Sequence, residues 1–187
     1  MAISATDIPP NSLLKAELNY DYIDSFQGYF NDPLQKIGIT DIGKSFFSSG
    51  PKWIDGLFEF RNKLVGLFGL KTSGKITNRQ KMLEDFKCEK GEQMGLFKVL
   101  DKTNGEIILG EDDKHLNFRI SLLIVNQNQN TIDKLLIITT AVKFNNWFGR
   151  LYFIPVRPFH KLIVPVMLKG IVRNVENMNF DTRIKEL

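Results

Sequence analysis

The feature that most constrains this chain is a run of strictly alternating side chains. Leu116, Phe118, Ile120, Leu122 and Ile124 are apolar, and His115, Asn117, Arg119 and Ser121 between them are polar. A period of two over that length predicts a β-strand with one covered face and one wetter face. Further strand candidates lie on either side, over residues 93–100, 106–109 and 134–144, with a short one at 149–153. Asp101-Lys102-Thr103-Asn104-Gly105 is a hairpin signal, the acidic run after Gly110 reads as another turn, and residues 126–131 form a polar connection. Short connections between neighbouring strands make an antiparallel meander.

Ahead of the meander, residues 17–30 carry Tyr20, Tyr22, Phe26 and Tyr29, aromatic residues suited to a pleated surface, and Asp32-Pro33 stops the strand. Ser48-Ser49-Gly50-Pro51 then offers capping hydroxyls and a proline fit for a first helical turn. A helix is predicted over 51–68, with Trp53, Ile54, Leu57, Phe58, Leu64, Val65 and Phe68 on its buried stripe. Arg61 breaks that stripe, so its guanidinium needs either an internal carboxylate or a wet cavity, and the internal bridge is the favoured reading. Residues 71–92 are rich in Lys and Glu and read as an exposed excursion, with Cys88 an exposed, incidental thiol.

Pro155 and Pro158 bracket the start of a long, mostly buried helix. Phe159, Leu162, Ile163, Val166, Met167, Gly170 and Ile171 step along one face, and Val164, Leu168 and Val172 lie on the opposite side. Pro165 is expected to kink it. The domain plan is an extended lead-in over 1–14, one domain over 15–176, and a polar, fraying tail over 177–187.

Composition narrows the class. Of the 187 residues, 43% are hydrophobic and 25% charged, which fits a globular chain and excludes a collagenous or disordered one. The net charge is only +4, with 25 basic and 21 acidic residues interspersed, so no nucleic-acid footprint is expected. The longest unbroken apolar run, Leu162 to Leu168, lies between Lys161 and Lys169 and is far shorter than the roughly 18 residues of a membrane helix. No integral membrane segment is therefore expected. The first 14 residues lack a basic and apolar leader, so the cytoplasm is the expected location. A single cysteine and two histidines with no paired spacing predict no metal site and no cofactor.

Three local blocks sharpen this outline: LFEFRNKLVGLFGL over 57–70, GEDDKHLNFR over 110–119 and GRLYFIPVRPFHKLIVPVML over 149–168. Together they resemble an uncharacterised bacterial domain-of-unknown-function family within the START-like (SRPBCC, helix-grip) superfamily, over roughly residues 15–175. The resemblance implies an α+β fold, a curved antiparallel sheet wrapped around a long C-terminal helix, and a cavity between them for a small apolar or amphipathic ligand. Phe118, Ile120, Leu122, Tyr152, Phe159, Ile163 and Met167 are the expected lining. Arg61, Arg157 and His160 are the expected polar contacts, the last two near unpaired helix-start NH groups that suit an anionic head group. The same apolar residues also suit a solid core.

Two other functions stay open. His115 with Asp113 as base and orienter would suit a cavity enzyme, a cyclase, dehydratase or hydrolase, although a simple hairpin turn accounts for the same residues. The 71–92 excursion would suit a protein-interaction module. Phosphate-loop and serine-hydrolase patterns do not occur in the chain.

Overall fold

A computed structural model describes residues 2–16, 19–49, 83–126 and 132–185, with side chains to residue 180. The meander forms as β3 (Gln93–Met94), β4 (Phe97–Lys102), β5 (Glu106–Asp112), β6 (Leu116–Asn126) and β7 (Asp133–Phe144). Two strands from the start of the chain, β1 (Ile3–Ala5) and β2 (Tyr22–Asn31), extend it at the far edge. The result is one seven-stranded antiparallel sheet in the order β1-β2-β7-β6-β5-β4-β3. The β2–β7 pairing runs from Tyr22↔Val142 to Asn31↔Asp133, so the first long strand closes onto the last.

Several sequence expectations change. The strand predicted over 93–100 is broken by Gly95, whose φ of +62° makes the tight turn between β3 and β4. The strand predicted over 17–30 begins only at Tyr22, and Leu13–Ala16 form a 3-10 turn. Beyond Asp32-Pro33 the chain makes a helix the sequence reading did not foresee, α1 (Ile39–Ser48). Its local signals are nevertheless present. Gly38 N–H donates to the Asp41 carboxylate at 2.9 Å, closing the first turn, and Ile39, Ile42, Phe46 and Phe47 bury one stripe. The helix predicted over 51–68, with Arg61, and residues 71–82 of the excursion lie outside the described residues.

The rest of that excursion is partly core. Phe86 is 5% exposed and Cys88 is fully buried, contrary to the expected surface thiol. Cys88 has a φ of +58°, in the left-handed region, and its sulfur lies against Gly43 of α1. A Cβ on Gly43 would come within 2.6 Å of that sulfur, so the glycine makes the room. Burial pushes the thiol up from 9.0 to about 11.

The largest correction concerns the last helix, α2 (Trp147–Lys185), which absorbs the predicted 149–153 strand and the supposedly frayed tail. It starts at an asparagine cap: Gly149 N–H donates to Asn146 Oδ1 at 3.1 Å. A Cβ on Gly149 would stand 2.0 Å from the His115 carbonyl oxygen, so only glycine lets the helix start this close to the β5–β6 turn. Pro155, Pro158 and Pro165 all lie inside it; their fixed φ suits a helix even though each removes one hydrogen bond. At the far end Asn179 is buried and donates to the Asn31 carbonyl at 3.0 Å.

The helix is also rotated from the expected orientation. Phe153, Val164, Leu168, Ile171, Val172 and Val175 are buried, whereas Phe159, Leu162 and Val166 are exposed. An element apolar nearly all round has no single preferred face, so packing decides. At Gly170, where a Cβ would lie 2.8 Å from the Ser49 carbonyl oxygen, α1 and α2 approach closely and select the face.

By length and composition Trp147–Phe180, 34 residues with a mean hydropathy of 1.3 in its most apolar window, would suffice to cross a membrane. The short apolar run that argued against a span therefore no longer does so. Only 17% of that window is buried, so the helix is not the mostly buried element expected: Trp147, Leu151, Ile154, Phe159, Leu162 and Val166 are exposed.

The face of β6 expected to be wetter is covered too. Arg119, Ser121, Ser25 and Thr139 are all buried, because the segment before β2 folds across that side, with Leu14 packed on Ile108 and Ala141.

Candidate functional site

Alternation puts Tyr22, Asp24, Phe26 and Phe30 of β2 on the side of the sheet that faces α2. Phe30, Ile120, Leu122, Leu136 and Ile138 share one core there with Ile42 and Phe46 of α1 and with Val164, Leu168 and Ile171 of α2. The register sets one row across that face: Asp24 opposite Thr140, Thr140 opposite Ile120, and Ile120 opposite Leu109. Beside it run Tyr22, Val142 and Phe118 on one side and Phe26, Ile138 and Leu122 on the other. An acidic side chain thus stands in the middle of an apolar surface.

Asp24 is held by groups from two elements. Tyr22 Oη donates to Asp24 Oδ2 at 2.6 Å, and His160 Nδ1 of α2 lies 3.1 Å from the same oxygen. The Asp24 and His160 side chains are only 10% and 18% exposed. Phe153, Arg157, His160, Val164 and Leu168 follow one another at three- and four-residue steps, so one stripe of α2 carries both the polar contact and the core. Phe153 meets the Tyr22 ring edge-on at 4.8 Å between centroids, and the Arg157 guanidinium lies 5.4 Å over that ring. The Tyr22 phenol is held well above its usual range, chiefly by burial and then by the bond to Asp24 and its charge, with Arg157 opposing.

What sets the site apart is what is left over. Among the described residues, Asp24 Oδ1 and Thr140 Oγ1 are both buried without a hydrogen-bond partner, and their residues are directly opposite on neighbouring strands. Buried polar atoms are nearly always paired, so two such oxygens on directly opposed residues are an exception on this face.

Of the expected site residues, the fold gathers some and scatters others. Ile120 and Leu122 are buried on the α2-facing side, and Phe118 is half-buried against Phe97 at 5.8 Å between ring centroids. His160 joins Asp24, and Arg157 lies over Tyr22. Ile163 and Met167 are half-buried, as is Tyr152, whereas Phe159 is 47% exposed and turned from the core. His115 lies just past Leu116, at the end of the sheet where Tyr22 and Phe153 pack, but its Nδ1 is 3.2 Å from Asn146 Oδ1 and its ring 4.7 Å from that of Phe148. Asp113 makes main-chain bonds at the same turn, to Leu116 and to the Asn145 side chain, and gives His115 no carboxylate partner. Tyr22, Asp24 and Thr140 were not anticipated. The signal for Asp24 was present, an acid on the apolar side of an aromatic strand, of the kind that drew attention to Arg61.

Among the described residues no group of three or more His, Cys, Asp or Glu is gathered as metal ligands would be. The class is an α+β protein whose open antiparallel sheet packs one face on a long C-terminal helix, with a buried, incompletely paired carboxylate between the two. The chain matches the family described as a protein of unknown function, DUF2867, over residues 18–167, and belongs to it. It is also 28% identical over 147 residues to a ribosome maturation factor, RimM, of Prochlorococcus marinus (strain MIT 9215), covering 73% of this chain and 79% of that protein. No solved structure matches it.

Proposed function

We propose that this member of DUF2867 is a START-like helix-grip protein that holds a small apolar or amphipathic molecule between its sheet and α2. The observation that carries the reading is the pair of unpartnered oxygens, Asp24 Oδ1 and Thr140 Oγ1, within an apolar face that α2 covers. Leaving two buried polar atoms unpaired costs on the order of 1–3 kcal/mol each, a cost that a ligand's polar group would remove. The strand order, with a meander between the first long strand and a terminal helix, is in keeping with such a grip. Ile42, Phe46 and Phe47 of α1 occupy part of the same interior, so the guest is small.

The test is direct. The purified full chain is examined by native mass spectrometry for a co-purified mass and by displacement of an apolar fluorescent dye. A saturable one-to-one complex is expected. Finding no retained mass and no displaceable dye would sink the reading.

A further inference from the structure

The unpaired oxygens also specify the kind of head group, an inference that rests on the ligand-binding reading above. Asp24 Oδ1, when the carboxyl is ionised, only accepts hydrogen bonds, whereas Thr140 Oγ1 can donate one and accept one. Directly opposed residues on antiparallel strands hold their Cβ atoms roughly 4.5–5.5 Å apart, so one bound oxygen atom can reach both. A group that satisfies the pair donates to Asp24 and accepts from Thr140. A hydroxyl does both. A carboxylate or phosphate has no proton for Asp24 and brings a second negative charge beside it.

Among the described residues, the two basic side chains nearest the pair are turned to other groups. His160 lies on Asp24 Oδ2, and Arg157 lies over the Tyr22 ring. Tyr22 itself donates to Asp24. The neighbours of the two free oxygens along the sheet are Ile120, Val142, Phe118, Phe26 and Ile138, which offer hydrocarbon contact. We infer that the site takes a neutral, hydroxyl-bearing apolar molecule, its hydroxyl bridging Asp24 and Thr140 and its hydrocarbon body lying along the α2-facing side of the sheet. This differs from the anionic head group that Arg157 and His160 alone suggest.

Dye displacement with decanol, decanoate and decylamine on the full chain at neutral pH tests it. Decanol is expected to bind about tenfold tighter than decanoate, the size of effect one charge-assisted hydrogen bond produces. Thr140→Val should weaken decanol binding by about fivefold, and Asp24→Asn should narrow the alcohol-to-acid preference by relieving repulsion of the acid. Circular dichroism and the urea midpoint check that each variant is folded. Decanoate binding as tightly as decanol, decanol affinity that Thr140→Val leaves intact, or decylamine outcompeting both would overturn the hydroxyl assignment while leaving ligand binding in place. If none of the three probes displaces the dye and dodecane and other neutral apolar compounds also fail, the ligand-binding reading falls with it.

Discussion

Asp24 and Glu106 are both buried carboxylates on the same sheet, one on each face, and they are treated in opposite ways. Glu106 is 2% exposed and completely enclosed by donors. Ser12 Oγ donates to its Oε1 at 2.6 Å, Ser121 Oγ donates to the same oxygen, and Leu13 N–H donates to Oε2 at 2.8 Å. It fastens the segment before β2 to the outer face of the sheet. Among the described residues, Asp24 keeps one oxygen with no partner.

The contrast extends to adjacent residues of β7. Thr139 Oγ1 is 2.7 Å from Ser25 Oγ on the outer face, whereas Thr140 Oγ1, one residue on, has none on the inner face. Ser45 Oγ of α1 is the third buried polar side-chain atom without a partner among the described residues, so it is the pairing of Asp24 with Thr140 across two strands that distinguishes the inner row.

A third carboxylate sharpens the comparison and carries the largest expected effect. Asp32 is fully buried, accepts from Lys134 Nζ at 2.6 Å, and receives the Lys36 and Ile37 amides at 3.2 and 3.1 Å. Asp32→Ala leaves Lys134 and both amides behind, and is expected to cost about 3–5 kcal/mol in urea unfolding. A cost below about 1 kcal/mol would show that complete pairing is no guide to a structural role here.

Glu106→Gln comes next. It keeps the shape but removes the charge and turns an acceptor into a donor facing hydroxyls, for an expected loss of about 2 kcal/mol on the same scale, with ligand affinity unaltered. A ligand effect without a stability effect would reverse the roles assigned to the two faces.

Thr140→Val is the mirror case. It deletes an unpaired hydroxyl at constant volume and should leave stability unchanged or raise it by up to about 1 kcal/mol, measured by the same unfolding. A substantial loss would mean that the hydroxyl already has a partner.

Cys88 provides the smallest effect and an independent check on the core beneath α1. Its folded thiol is raised from 9.0 to about 11, so the neutral form is favoured by folding. The corresponding stability is fully present below pH 9.0 and is lost as pH rises through about 11. Unfolding free energy measured against pH should therefore decline more steeply across that window in the parent than in Cys88→Ala, where the raised Tyr22 phenol remains. Iodoacetamide should alkylate the native thiol far more slowly than the unfolded one.

Much of this arrangement was readable before any coordinates. The alternation of Leu116 to Ile124 and the turn at residues 103–105 identified β4 to β7, because a period of two and a turn-forming cluster are local properties of the chain. The helix α1 carried readable signals at Gly38, Asp41 and the Ile39–Ile42–Phe46 spacing, and Asn145-Asn146 was a usable start signal for α2. The rotation of α2 was not readable. Phe159, Leu162 and Val166 are as apolar as Val164, Leu168 and Val172, so the pattern gave either face equal claim.

The chain's own periodicities thus determined the long strands β5 to β7, the turn between β4 and β5, and that an apolar helix follows them. Tertiary structure alone decided that β2 lies beside β7, bringing Asp24 opposite Thr140, and that α2 turns His160 rather than Phe159 inward, 136 residues from the carboxylate it meets. The reason is physical: side-chain periods act within one element, over a few residues. Strand neighbours and helix rotation are set by how whole faces pack, and no short stretch of sequence contains both sides of that contact.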